Sequence, residues 1–208
     1  MYQYNLRAQL TDLRAWVIDG AEPPPSRIPT LKTETLVSTH RASVGWPNIP
    51  RVKYTGIVNE LNVLDFGPGF AVGRETGVLT EPPKMKSGAA YTVLVPKVDA
   101  DGNEIAGLHS VTLQAPLGTY TGWNLRRAGF SEDELCGLTG MFIPFAKTKA
   151  DREAAGDPRL SLEERYGSHV GYVAAVRRAA NGLAADRLLL DADVDVLVEQ
   201  AEASDVLR

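Results

Sequence analysis

A chain of 208 residues with 44% hydrophobic side chains is long enough to build one domain with a proper core and too apolar to remain disordered. Its formal charge of -4 removes the electrostatic case for nucleic-acid binding, which grips phosphates through clustered Lys and Arg. The single cysteine, Cys136, rules out an intramolecular disulfide and a cysteine-based zinc site, and within Glu134-Leu135-Cys136-Gly137-Leu138 it reads as a half-buried structural thiol.

At the start, Met1-Tyr2-Gln3-Tyr4-Asn5-Leu6 has neither the basic nor the apolar region of a signal peptide, and no apolar run reaches bilayer length. The expected location is the cytoplasm, unless a missing upstream half carried an export signal. Residues 5–19 read as an amphipathic helix, with Leu6, Leu10, Leu13 and Val17 at spacings of three and four and Trp16 beside them. Gly20 and Pro23-Pro24-Pro25 stop it. Its apolar face requires a partner, with Leu13 and Trp16 expected to be buried against this chain or another.

Residues 21–90 are rich in Pro and Gly and weakly periodic. They are expected to form a loop-rich wrap with short strands at Val52-Lys53-Tyr54 and Val63-Leu64-Asp65-Phe66. Tyr91–Val95 reads as a strand, Asp99–Asn103 as a turn, and Glu104–Leu108 as the returning strand of a hairpin. Val111–Ala115 alternates apolar with polar and predicts a further strand. Beyond residue 128 the chain is expected to be helical. Ser131-Glu132-Asp133-Glu134 and Ser161-Leu162-Glu163-Glu164 both fit the capping box, and Thr148 starts a short helix ending near Gly156. The second box opens a long helix through Leu162, Tyr166, Val170, Val173 and Val176 to about Ala185. Asp191 caps a last helix, with Asp193 and Asp195 near the positive end of its dipole. The expected class is α+β, in one module: an N-terminal helix (1–20), the wrap (21–90), a small antiparallel sheet leading into the segment 115–126 (91–127), and a helical remainder (128–208).

Few motifs carry chemistry. Asp99-Ala100-Asp101-Gly102-Asn103-Glu104 has the carboxylates and amides of a calcium loop, but its glycine is misplaced for an EF-hand and position twelve is Ser110, so a turn is expected. Gly67-Pro68-Gly69-Phe70-Ala71-Val72-Gly73-Arg74 lacks the G-K-[ST] of a Walker loop and the helix of a dinucleotide site. His40, His109 and His169 show no metal-binding spacing. Ser168 and His169, adjacent on a helix, point about 100° apart and do not make a nucleophile and its base. No cofactor and no metal is expected.

The richest segment is Ala115-Pro116-Leu117-Gly118-Thr119-Tyr120-Thr121-Gly122-Trp123-Asn124-Leu125-Arg126. Its polar and aromatic groups fit two readings. Tyr120, Trp123, Asn124 and Arg126 could line a ligand site, the last two fixing a polar or anionic group. Alternatively they form a structural corner, with Arg126 pairing with an acid such as Glu163 or Asp157, and this reading is preferred.

The same segment, with Trp16–Ser26, Leu94–Glu104 and Ser161–His169, resembles the C-terminal part of large bacterial proteins described as α/β-hydrolase domain-containing. The four matches keep the family's order along nearly the whole chain. In that family the nucleophile, acid and histidine lie upstream of the helix that resembles residues 5–19, and no G-x-S-x-G nucleophile elbow occurs here. The resemblance therefore implies a C-terminal, esterase-like module without catalytic residues of its own. Its partner would be a hydrolase core on a separate chain, or a second copy joined through residues 5–19. The alternatives are a structural or interaction subunit, and an independent binding protein or enzyme whose site is assembled by the fold.

Overall fold

The computed structural model describes residues 2–67, 70, 73, 82–137 and 139–208. The Gly67–Arg74 segment thus lies largely outside the described residues. In chain order the elements are α1 (Tyr2–Asp19), β1 (Leu36–Ser38), α2 (Arg41–Val44), β2 (Asn62–Asp65), β3 (Lys84–Ala90) and β4 (Leu94–Pro96). They continue with α3 (Val111–Gln114), β5 (Gly118–Thr121), β6 (Met141–Pro144), α4 (Lys149–Ala155), α5 (Leu162–Tyr166), α6 (His169–Ala185) and α7 (Asp191–Ala203). Among the described residues the strands form three two-stranded antiparallel sheets, β1 with β4, β2 with β3, and β5 with β6. The class is α+β, as the sequence implies.

Two cores result. The larger is helical: Val176, Ala180 and Leu183 of α6 meet Val194, Leu197 and Val198 of α7, and Val111 and Ala115 close one end. The smaller gathers Val44, Trp46 and Ile49 with Tyr54, Val95 and Trp123. The β5–β6 hairpin lies between them, since Leu117 packs on the first core and Ile143 on the second.

A buried guanidinium anchors that hairpin. Arg159 is 3% exposed and grips both oxygens of Asp157, with Nε to Oδ1 at 3.0 Å and Nη2 to Oδ2 at 2.7 Å. It also donates to the Thr119 hydroxyl (2.9 Å) and to the carbonyls of Ile143 (3.0 Å) and Pro144 (3.2 Å), and its guanidinium carbon stands 5.1 Å from the centre of the Phe145 ring. The fork of N–H groups is well satisfied, the condition under which burying a charge is tolerable.

The Asp99–Glu104 segment is a latch on the same hairpin. Asp99 Oδ1 accepts from the backbone of Asp101 and Asn103, both at 2.9 Å. The buried Asn103 amide accepts from Tyr120 N (2.8 Å) and donates to the Gly118 carbonyl (3.2 Å), so it pairs with the β5 edge as a peptide would. Asp101 forms an ion pair with Arg165. Gly102 has φ +80°, and a Cβ there would stand 3.0 Å from Thr119 Cγ2. Gly118 is equally constrained, because a Cβ would collide with the Ile143 carbonyl.

Several sequence expectations are corrected. Val111–Gln114 is a turn of helix instead of a strand, because Val111 and Ala115, four apart, both bury in the helical core. Ser131 does not cap a helix: Ser131 and Asp133 have φ +55° and +66°, and residues 124–136 fold back through an isolated Leu125–Leu135 bridge. The partner of β4 is β1, while the expected return strand 104–108 is reduced to a single Val98–Glu104 bridge. Val52–Tyr54 is irregular. The helix from Ser161 breaks at Gly167 (φ +69°), and Ser168 caps α6 afresh by accepting from Gly171 N. The N-cap of α7 is Leu190, one residue before Asp191.

On this chain Leu13 and Trp16 are not buried, because α1 packs on it through its polar face. Its buried face is Asn5, Ala8 and Asp12, which sits on the connection between α6 and α7: Asn5 donates to the Leu188 carbonyl at 2.8 Å, Arg7 pairs with Asp193 at 2.6 Å, and Asp12 lies 3.7 Å from Arg187. Leu6, Leu10, Leu13, Trp16 and Val17 face outward, with exposures between 47% and 74%. Polar anchoring selects the other face, which hydrophobic periodicity does not register.

Two tests follow from these contacts. Breaking a buried ion pair leaves its partner unsatisfied, so Arg159→Met is expected to lower unfolding free energy in denaturant titration by about 3–5 kcal/mol. Acid should act through the carboxylates held by arginines. Glu164 is held at about 2 by hydrogen bonds from Arg152 and from the Ser161 backbone. Burial would raise Asp157, but the hydrogen bonds and charge of Arg159 outweigh it and hold the carboxyl below the usual range. Both folded values lie below the unfolded ones, so their stabilisation is present above pH ~4 and is lost as pH falls towards about 2. Thermal midpoints measured across that window should fall for the parent protein, with a shallower slope in Glu164→Gln.

Candidate functional site

Beside the smaller core lies a cavity of about 250 Å³. One wall is aromatic: the ring centres of Trp46 and Tyr54 are 5.5 Å apart and stacked, Trp46 and Trp123 are 5.3 Å apart, and Tyr54 meets Trp123 edge-on at 6.0 Å. Val44, Val95, Val98 and Leu135 extend the apolar lining. The Tyr54 hydroxyl donates to the Thr39 carbonyl at 2.8 Å, and burial raises its pKa. Trp46 is buried on a loop between Gly45 and Pro47, and its indole Nε1 has no hydrogen-bond partner among the described residues. Gly102, from the Asp99–Glu104 latch, also reaches the cavity.

Among the described residues, Glu104 is the one charged side chain in this lining. It is exposed at the surface, yet desolvation by the adjoining apolar walls raises its carboxyl above the usual range, with His109 acting in the opposite direction.

The four residues singled out from the sequence separate in space. Trp123 and Tyr120 line the cavity. Tyr120 also packs its ring, tilted, against Phe142 at 5.0 Å and borders a second hollow of about 240 Å³ with Tyr172 and Leu197, where burial raises its phenol. Asn124 is turned back on the chain, its Oδ1 accepting from Leu125 N at 2.8 Å. Arg126 is exposed, and its side chain makes one long bond, 3.4 Å, to the Leu135 carbonyl. It pairs with neither expected acid. Asp157 is taken by Arg159, and Glu163 accepts from the backbone of Lys149. The corner exists, but Thr119, Asn103 and Arg159 hold it. Sequence reading overlooked Trp46, Tyr54, Glu104 and Arg159. The only available signal was a tryptophan flanked by Gly45 and Pro47, a setting in which a large side chain anchors an irregular loop.

No nucleophile and base come together among the described residues. His169 faces two backbone carbonyls, Val206 O at 2.9 Å and Glu202 O at 3.2 Å, while Ser168 is occupied in capping α6. Among the described residues no group of three or more His, Cys, Asp and Glu is placed to hold a metal ion, and no helix is long and apolar enough to cross a membrane.

Fold and site together define an α+β chain with an aromatic-walled cavity. A family described as alpha/beta hydrolase domain matches residues 1–199, and the chain belongs to that family. Comparison with curated proteins and with solved structures gave no match.

If Arg126 has no structural partner, its removal should be nearly silent. Arg126→Ala is expected to change unfolding free energy by less than about 0.5 kcal/mol. By contrast Asn103→Ala, which strips two buried bonds from β5, should cost about 1–3 kcal/mol in the same titration.

Proposed function

We propose that this chain is an accessory, C-terminal module of an esterase-like α/β-hydrolase, noncatalytic by itself, that docks on a hydrolase core through α1. The observation that carries this reading is the outward stripe of Leu6, Leu10, Leu13, Trp16 and Val17. Large apolar patches on a surface mark an interaction site, and the opposite face of α1 is already committed to Leu188 and Asp193. Family membership supplies the chemistry of the partner. The chain is of the hydrolase family, yet it contains no G-x-S-x-G, so the serine elbow that performs acyl transfer would come from another polypeptide segment. A second reading, an independent small-molecule-binding protein, draws support from the cavity at Trp46 and Trp123.

The test uses a hydrolase core bearing G-x-S-x-G, encoded in the neighbouring reading frame and supplied in trans. The purified chain alone should not turn over p-nitrophenyl esters. Combined Leu13→Asp and Trp16→Ser changes should leave its unfolding free energy within about 0.5 kcal/mol while abolishing association with the core in sedimentation. Ester turnover by the chain alone that one of its own substitutions abolishes would sink the proposal. So would association with the core that survives the double change, or a stripe that pairs only with a second copy.

A further inference from the structure

The cavity carries an inference of its own, independent of whether α1 seats on a hydrolase core. Its lining is apolar and aromatic apart from backbone groups, two threonines, tyrosine hydroxyls and one carboxylate. That carboxylate, Glu104, forms no salt bridge and no side-chain hydrogen bond among the described residues. Every other acid of the same turn is engaged: Asp99 closes the turn and Asp101 holds Arg165. Among the described residues, a carboxylate without a salt bridge therefore stands at a pocket walled by Trp46, Tyr54 and Trp123.

The arginine of the neighbouring segment, Arg126, does not line the cavity. An anion would meet the Glu104 carboxylate with only the nearby His109 to offset it among the described residues, whereas a cation would gain a charge-assisted hydrogen bond at the rim and the attraction of the aromatic faces. Size narrows the class further. At about 250 Å³ the space falls below the roughly 300 Å³ where pockets for drug-sized ligands begin. We propose that this cavity binds a small apolar amine, its hydrocarbon or aromatic body against Trp46, Tyr54 and Trp123 and its ammonium group at Glu104.

Two of the three tryptophans, Trp46 and Trp123, line the cavity, and the third, Trp16, stands exposed on α1. A Trp16→Phe background therefore makes indole fluorescence a local reporter, and calorimetry gives a second readout. The full chain is titrated with 2-phenylethylamine, 2-phenylethanol and phenylacetate, which share one body and differ in charge. The amine should bind with a Kd below 1 mM, at least about tenfold tighter than the alcohol or the acid. Glu104→Gln should erase that preference, bringing the amine's affinity to within about threefold of the alcohol's. Ile57→Phe, which fills the lining from a loop, should weaken all three. Equal affinities, tighter binding of phenylacetate, no binding by any probe, or an amine preference that survives Glu104→Gln would overturn the proposal.

Discussion

The guanidinium of Arg159 is the constraint on which most of this structure depends. It is buried and charged, so it can exist only where acceptors surround it. Asp157, Thr119 and the carbonyls of Ile143 and Pro144 are those acceptors, and they come from three separate parts of the chain. Satisfying the charge thereby fixes the β5–β6 hairpin against the segment that enters α5. Around it a second tier repeats the logic, with Arg152 on Glu164 and Arg165 on Asp101. Arg165 also covers the Phe145 ring at 4.0 Å from its centre. Small strand pairs of three or four residues are marginal alone, and here polar side chains complete them.

This anchoring positions the cavity. Asn103 pairs with the β5 edge, which brings Gly102 and Glu104 up beside Thr121 and Trp123. Trp46 and Tyr54 arrive from the loop-rich first half, stack on each other and pack against Trp123. The long irregular segment is thus ordered partly by its aromatic residues, which bury large area at little cost in side-chain freedom. Of the four residues proposed as ligand-binding in the segment 115–126, only Tyr120 and Trp123 reach a hollow.

Helix α1 shows the opposite arrangement, polar inside and apolar outside. Arg7 with Asp193 and Asn5 with Leu188 hold it to the helical core, so its leucines remain available. A helix anchored by its polar face is suited to present its apolar face to something else.

Local and periodic features were legible in the sequence. The α+β class, the family, α1 itself, the cap at Thr148, the capping box at Ser161, and a strand read at 63–66 and found at Asn62–Asp65 each depend on a few neighbouring residues whose chemistry acts at short range. The capping pattern at Ser131 failed because the same residues also suit a tight turn, and only the Leu125–Leu135 pairing chose between them. Likewise Val111–Ala115 fits either period, and contact with the helical core selected the helix. The face on which α1 packs, the reach of Arg159 to Thr119, and the meeting of Trp46 with Trp123 and Glu104 were decided by tertiary structure alone. Each joins residues far apart in the chain, and charge satisfaction or ring packing across such distances leaves no spacing in the sequence to read.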